Sequence, residues 1–233
     1  MRKILLIASL LFSVNVCATP ISTLFNGGSI VVGDKLFDQW ELIQDISSNP
    51  FSVNLDDIVV TSLAGGGLNP GSGLHFEILN DTFTLEGDGF FAFLDFMFGF
   101  RVSVLDPTLK IKDNSLYLTD SALINPTALT SIFIEEKIYS DPNRGNEIGT
   151  KNVERSNIFP QQSEKLFDSA NFSPTNEIWV TKNILLEAVD FGEFASLQSF
   201  EQRFSQVSVV PEPSTLILFS LALVSLTLRR KSK

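Results

Sequence analysis

The sequence feature that most constrains the fold is an alternation of apolar residues between Phe90 and Leu105. Every even-numbered position in this stretch is apolar, and four of these positions are Phe. The odd-numbered positions are mixed and include Asp95, Gly99 and Arg101. Because successive side chains of a strand point to opposite faces, a period of two predicts a strand with one face in the core. We expect this strand at the centre of a sheet, with Gly99 marking a bend or bulge.

The same period recurs in shorter runs, separated by turn residues, across residues 19–208. The predicted strands are 36–43, 58–63, 74–79, 82–85, 116–119, 132–139, 178–186 and 197–207. Asn80 and Asp81 predict a hairpin turn, whereas the polar stretch 140–176 predicts long loops. Residues 191–207 also fit a helical period, and we favour a last strand there. Together these runs predict an all-β fold, an antiparallel and jelly-roll-like β-sandwich spanning residues 19–208.

The C-terminal end combines three segments in a fixed order. A Pro211-Glu212-Pro213 triplet precedes an uncharged apolar run at 214–228, and a basic tail follows at 229–233. As a helix, the apolar run spans roughly 22 Å, which is shorter than the ~30 Å hydrocarbon core of a bilayer. Bilayer thinning or snorkelling of the tail cations completes the crossing, and these cations hold the tail in the cytoplasm. They are Arg229, Arg230, Lys231 and Lys233.

This order resembles the PEP-CTERM sorting signal of exported proteins of Gram-negative bacteria, here over residues 209–233. The two prolines keep the triplet extended and outside the membrane, where a processing enzyme can reach it. The resemblance implies an exosortase as partner, transient retention in the inner membrane, and delivery to the cell surface or the extracellular matrix. An ordinary C-terminal membrane anchor is the alternative. The signal indicates a destination and leaves the activity of residues 19–208 open.

Residues 1–18 have the form of a secretory signal peptide. Arg2 and Lys3 precede an apolar run, and Val16 and Ala18 stand at the small-residue positions before a predicted cleavage between Ala18 and Thr19. The expected partners are therefore the Sec translocon and signal peptidase. The only cysteine of the chain, Cys17, would be removed with the signal. The exported domain would then contain neither a disulfide nor a thiol nucleophile.

Charge excludes one class of partner. Residues 19–208 contain 11 Lys and Arg against 26 Asp and Glu, a formal charge of −15. Such a surface repels nucleic acid, so a nucleic-acid-binding role is excluded. The charge favours solubility and also attracts cations such as Ca²⁺.

A calcium loop is the one cofactor candidate. Asp141, Asn143 and Glu147 place oxygen ligands at alternate positions, as a Ca²⁺-binding loop does. The segment departs from the EF-hand pattern at its sixth and twelfth positions, and Asp-Pro-Asn-x-Gly is also a favourable turn sequence. We favour the turn, and no other metal or cofactor is predicted.

Three functions remain open for the domain. An exported structural protein of the exopolysaccharide or biofilm matrix is the preferred hypothesis, and no enzymatic activity is expected. A carbohydrate-binding module is the first alternative, with Trp40 and Trp179 as the aromatic ligand candidates. A carboxylate hydrolase is the second, because His75 is the only histidine. The adjacent pairs Asp56-Asp57 and Glu135-Glu136 argue against it, since neighbours on a strand face opposite ways.

Overall fold

The computed structural model describes residues 18–48, 53–124, 129–158 and 161–209. In these residues fourteen strands form two antiparallel sheets that pack face to face, which confirms the predicted all-β sandwich. The strands are β1 (Thr19–Pro20), β2 (Ile30–Val32), β3 (Lys35–Ser47), β4 (Ile58–Leu63), β5 (Gly73–Ile78), β6 (Thr84–Glu86), β7 (Ala92–Val104), β8 (Leu109–Ile124), β9 (Leu129–Tyr139), β10 (Glu147–Ile158), β11 (Gln161–Lys165), β12 (Phe167–Thr175), β13 (Glu177–Ala188) and β14 (Phe194–Ser208). A short helix, α1 (Ile21–Phe25), and a 3₁₀ turn at Leu55–Asp57 complete the described elements.

The two sheets have seven strands each. Sheet A has the order β1-β4-β5-β14-β8-β12, with β6 also paired to β14, and sheet B has the order β11-β10-β9-β13-β7-β3-β2. Along the described strands the chain changes sheet eight times, including every step from β6 to β9 and every step from β11 to β14. Most neighbouring strands are therefore distant in sequence. The finer jelly-roll assignment stays a prediction.

The strand predicted from the apolar alternation is β7. Its even positions from Ala92 to Val102 are at most 5% exposed, and β7 pairs with β13 on one side and β3 on the other. The middle place in sheet B belongs to β13, so β7 is an interior strand beside the central one. The predicted start at Phe90 is wrong. The chain turns through Gly89 with φ +87°, and Phe90 lies before the strand with 78% of its surface exposed.

A β-bulge lies next to Gly99, as predicted, but the extra residue belongs to the neighbouring strand β3 and not to β7. The register between β3 and β7 shifts between Asp38 and Glu41, and Gln39 has φ +52°. The extra residue changes the buried phase of β3 from odd to even, so that Phe37 and then Trp40 face the core. No single period-two phase therefore describes the whole of the predicted strand 36–43.

Two further predictions about elements were wrong. The polar stretch 140–176 contains β10, β11 and β12. Strand β10 pairs along β9 for its full length, and its side chains also bond to residues of β8 and β11. The hairpin at Asn80 and Asp81 does not form. Both residues adopt positive φ, but β5 and β6 pair successively with β14 and not with each other. Helix α1 was not predicted; it buries Ile21 and Leu24.

Aromatic packing dominates the core between the sheets. The fully buried rings are Phe37, Phe76, Phe83, Phe96, Phe98, Phe100, Phe200 and Phe204. Phe76 of β5 and Phe200 of β14 stack with ring centroids 4.5 Å apart, and Phe37 of sheet B meets Phe204 of sheet A at 5.4 Å. Such pairs add about 0.5–1.5 kcal/mol each beyond the burial of their surface.

The strands of the sandwich run from Thr19 to Ser208. Thr19 begins β1 directly after Ala18, and it pairs with Val60 of β4. Residues 1–17 of the predicted signal peptide and residues 210–233 of the predicted sorting signal, which include the predicted membrane segment 214–228, lie outside the described residues. Within the described ranges, no helix is long and apolar enough to cross a membrane.

Candidate functional site

The two predicted sugar-binding tryptophans are buried. Trp40 is 5% exposed in the core, where its ring stacks on Phe100 at 4.4 Å and its Nε1–H donates to the carbonyl oxygen of Phe37 at 3.2 Å. Trp179 lies on the outer face of sheet B beside Tyr139 and Arg101, and it is 8% exposed. Because a stacking platform needs a free ring face, Trp40 is a core residue and Trp179 offers little surface to a sugar.

The predicted calcium loop is organised as a turn. Oδ1 of Asp141 accepts backbone N–H groups of Asn143 and Gly145 at 3.0 and 3.2 Å, and Oδ2 accepts that of Asn146 at 2.8 Å. These hydrogen bonds hold the pKa of Asp141 below its ordinary value. Both carboxylate oxygens are therefore engaged by the backbone. In the described part of the chain, no group of three or more His, Cys, Asp or Glu is placed to hold a metal. Calcium binding stays a prediction.

The hydrolase candidates do not converge. Glu135 lies on the outer face of sheet B, whereas Glu136 is fully buried between the sheets, as expected for neighbours on a strand. Asp57 accepts hydrogen bonds from the side chains of Asn54 and Asn80 at the 3₁₀ turn. His75 lies on β5, with Nδ1 3.6 Å from Oε1 of Glu201 on β14.

A cleft of about 210 Å³ crosses the outer face of sheet B over β9, β13, β7 and β3. Its floor contains Met97, Asn183 and Glu135, which are directly opposite one another on adjacent strands. Its remaining lining is Ile43, Lys137, Tyr139, Arg144 and Thr181. The β9–β10 turn that Asp141 organises carries Arg144 into this cleft.

Several polar atoms in the cleft and beside it on β7 make no hydrogen bond to the described protein atoms. Among the described residues, Oδ1 of Asn183, Nε of Arg144 and Oδ1 of Asp95 are buried and make no hydrogen bond. Burial also raises the pKa of Asp95, against the opposing hydrogen bonds from Gln44 and Asn183. Buried polar atoms without partners are costly, so water or a polar ligand is the natural complement of this surface. Sequence reasoning missed this site because its residues occupy the solvent-facing phase of four strands.

A second surface feature is an exposed phenylalanine patch at one end of the sandwich. Phe90 and Phe191 are 78% and 80% exposed, and Phe91 is 55% exposed. The loops that carry them are joined by a hydrogen bond from the Gly89 N–H to the carbonyl oxygen of Val189. These Phe rings are accessible to a ligand, whereas the rings of Trp40 and Trp179 are buried.

A charged cluster lies in the core between the sheets. Glu136 of β9 is directly opposite Lys151 of β10 and Lys182 of β13, and all three side chains are 0% exposed. Oε1 of Glu136 accepts from Lys151 and from Gln202 Nε2 of β14, and Oε2 accepts from Lys182. Asn114 of β8 donates to Oε1 through Nδ2 and accepts from Lys151 Nζ through Oδ1 at 2.6 Å. The cluster therefore connects both sheets.

The electrostatics of the core cluster are unbalanced, with two lysines for one carboxylate. Burial lowers the pKa of Lys151 to about 8, and the charge of Lys182 acts in the same direction. Although burial alone raises the pKa of a carboxyl group, the charges of Lys151 and Lys182 hold that of Glu136 below its ordinary value. Burial also lowers the pKa of Lys182, which lies 5.2 Å from the ring centroid of Phe200.

The sequence contains a signal for this cluster. Glu136 interrupts the apolar phase of β9 between Ile134 and Ile138, and Lys182 interrupts that of β13 between Val180 and Ile184. A charged residue at a core-facing position of a strand indicates a buried pair or site.

Comparison with known proteins identifies the C-terminal segment. Residues 209–231 match the family model of the PEP-CTERM protein-sorting motif. The chain carries a PEP-CTERM sorting signal. This confirms the resemblance inferred from Pro211-Glu212-Pro213, the apolar run and the basic tail. No curated protein matches the PEP-CTERM chain.

Solved structures show only distant likeness. TmCBM61 in complex with β-1,4-galactotriose is 12% identical over 73% of this chain and 88% of its own, with a TM-score of 0.27. TmCBM27, a carbohydrate-binding module that recognises mannan, is 11% identical over 71% and 98%, also with a TM-score of 0.27. The enzymatically active domain of bacteriophage CBA120 tailspike protein 4 is 11% identical over 72% and 19%, with a TM-score of 0.25. Likeness at this level carries no argument about ligand or activity.

Proposed function

We propose that this PEP-CTERM protein is a non-enzymatic structural component of the cell surface or exopolysaccharide matrix, processed by an exosortase. The match of residues 209–231 to the sorting motif is the observation that carries the proposal. An N-terminal signal peptide at 1–18 delivers the chain through the Sec translocon. The segment at 214–228 then holds it in the inner membrane until processing near Pro211-Glu212-Pro213 releases it.

Two features indicate that the sandwich is a complete domain between the two proposed transport signals. Strand pairing begins at Thr19, and the last strand ends at Ser208, directly before the sorting motif. The formal charge of −15 between these ends keeps a protein soluble at high local concentration. The domain is therefore folded between the two terminal segments that direct its transport.

Replacing the triplet prolines tests the proposal. The double variant Pro211→Ala/Pro213→Ala should accumulate in the inner membrane, whereas the wild-type protein should reach the cell surface or the medium. Pro174→Ala, an exposed proline of β12, is the matched control and should localise as the wild type does. Quantitative detection in inner-membrane, surface and medium fractions provides the measurement. Wild-type protein that remains in the inner membrane while an exosortase is present would contradict the proposal.

Carbohydrate binding in the cleft of sheet B is the second candidate. The cleft offers unpaired hydrogen-bonding atoms of Asn183 and Arg144 next to the ring of Tyr139. Sugar recognition combines such polar contacts with an aromatic or apolar surface. A matrix polysaccharide is the ligand class that fits this chemistry and the proposed location.

Affinity electrophoresis in gels that contain matrix polysaccharide distinguishes the two exposed surfaces. Asn183→Ala and Tyr139→Ala in the cleft should abolish retardation, whereas Phe90→Ser and Phe191→Ser in the phenylalanine patch should leave it unchanged. Loss of retardation in the Phe90→Ser and Phe191→Ser variants alone would show that the phenylalanine patch, and not the cleft, binds the polysaccharide. Absence of retardation for the wild-type protein on every matrix polysaccharide would remove this candidate.

A further inference from the structure

Three side chains of the core cluster form a geometry suited to amide exchange. Lys151 Nζ lies 2.6 Å from the side-chain oxygen of Asn114, so the amine is at the carboxamide group itself. Glu136 Oε1 accepts hydrogen bonds from both Lys151 Nζ and Asn114 Nδ2. A nucleophile, an acyl group with a leaving nitrogen, and a proton acceptor that touches both are therefore in contact. Water is excluded, because all three residues are at most 3% exposed.

We propose that Lys151 and Asn114 form an intramolecular isopeptide bond, with Glu136 as the proton-transfer group. The Nζ lone pair of the neutral amine attacks Cγ of Asn114, and a new N–C bond forms as the carbonyl becomes tetrahedral. Glu136 takes a proton from Nζ and transfers it to Nδ2. The Cγ–Nδ2 bond then breaks, and Nδ2 leaves as ammonia. No oxidant, metal or cofactor is consumed, and the product is a secondary amide.

Burial provides the chemical conditions for each step. A pKa of Lys151 near 8 makes a substantial fraction of neutral amine available in the folded protein, which the attack requires. A carboxylate in contact with both nitrogen atoms is positioned for general acid–base catalysis. Proximity in a rigid core makes the step unimolecular.

The charge balance of the core favours the product. Before reaction, two buried lysines face one buried carboxylate, and the second carboxylate that acts on Lys151, that of Asp168, lies outside the core. Acylation makes Lys151 permanently neutral and leaves Glu136 paired with Lys182 alone. An uncompensated buried charge is strongly destabilising, so its removal stabilises the folded state.

The bond would join the two sheets covalently. Asn114 is on β8 of sheet A and Lys151 is on β10 of sheet B, 37 residues apart in the chain. Residues 19–208 contain no cysteine, so a disulfide cannot provide this function. An amide cross-link is also insensitive to reducing agents, unlike a disulfide.

Mass spectrometry of the full-length protein tests the proposal. Trypsin normally cleaves after Lys151 and Lys137, but an acylated Lys151 resists cleavage. The cross-linked protein should yield peptide 113–137 joined to peptide 145–155, with the summed mass reduced by one ammonia. The unreacted protein should instead yield separate peptides with cleavage after Lys151. Complete recovery of the separate peptides from folded wild-type protein would overturn the proposal.

Two lysine variants identify the nucleophile. Lys151→Met keeps the length of the side chain and leaves one carboxylate with one lysine, so it should fold and lack the joined peptide. Lys182→Met also leaves one lysine, but it retains the reacting groups and should still form the bond. In a boiled denaturing gel, the wild type and Lys182→Met should migrate faster than Lys151→Met, because the bond closes a loop. A joined peptide in Lys151→Met would overturn the assignment.

Discussion

At the scale of single residues, Glu136 is the most consequential side chain of the domain. It is fully buried and accepts hydrogen bonds from residues on four other strands: Asn114, Lys151, Lys182 and Gln202. A buried ion cluster of this kind is costly to create and more costly to break, since removal of one partner leaves charges unpaired in the core.

Replacement of Glu136 should therefore be severe. Glu136→Gln leaves two buried lysines without a carboxylate and should lower the free energy of unfolding by about 3–5 kcal/mol. Glu135→Gln is the matched control, because Glu135 is the adjacent residue on the outer face, and its effect should be within about 0.5 kcal/mol. Urea denaturation of the two variants measures the difference. Equal stabilities would contradict the account of the core cluster.

A third buried lysine, Lys35, predicts an effect of pH on stability. Lys35 is 1% exposed and donates to Gln206 Oε1 at 2.6 Å and to Ser72 Oγ at 3.1 Å, and burial lowers its pKa below the ordinary 10.5. Between the lowered pKa and 10.5 the unfolded chain binds more protons than the folded one, so stability rises with pH in this window. The free energy of unfolding should therefore rise relative to that of Lys35→Met as pH approaches 10.5. Denaturation at a series of alkaline pH values tests the sign, and a fall would contradict it.

At the scale of elements, the close approach of β5 to β14 depends on a glycine. A Cβ at Gly73 would lie 1.8 Å from the backbone oxygen of Gln202, whereas one at Gly99 would lie 2.5 Å from the mobile end of Arg144. Backbone cannot move aside without breaking the strand pair, but the end of a long side chain can.

Alanine at these two glycines should therefore have different effects. Gly73→Ala should lower the free energy of unfolding by about 3 kcal/mol or more, and Gly99→Ala by about 1 kcal/mol. Gly99→Ala should also displace Arg144 from the cleft of sheet B. Denaturant midpoints at equal protein concentration measure both effects, and a milder effect at Gly73 would show that β14 is free to shift.

The sequence predicted most strands on which burial imposes an apolar phase, although it gave only 116–119 of β8 and none of β2. The alternations in β7, β9, β13 and β14 are visible because one face of each strand packs in the core. Strands β10 to β12 carry Asn, Ser and charged residues, and their pairing partners determine their conformation. The bulge at Gln39 also reversed a phase that local periodicity predicts to continue.

The core cluster was less predictable from the sequence than the fold. The residues of the core cluster come from β8, β9, β10, β13 and β14, so their contact depends on strand order and register, which local periodicity does not determine. Glu136 and Lys182 were visible as charges in apolar phases, but their partners Asn114 and Lys151 lie in polar stretches. Trp40 was named as a candidate for sugar binding, but it packs in the core beyond the bulge in β3.

At the scale of the whole molecule, the chain combines a cysteine-free acidic sandwich with a C-terminal sorting motif, and we propose a signal peptide at its other end. The sorting motif directly follows the last strand, so processing there would release the intact domain. We propose a role in the extracellular matrix and a covalent link between the sheets. A covalent link would help a matrix protein, because it has to stay folded outside the cell without chaperones.

The intact mass of the protein from its native host, with and without the exosortase gene, tests the central claim most directly. The account predicts a chain that begins at Thr19 and ends near Pro211-Glu212-Pro213, with or without an added group, only when the exosortase is present. Without the exosortase, the mass should extend to Lys233. A mass that extends to Lys233 in both strains would make the protein a membrane-tethered domain and would contradict its release to the surface.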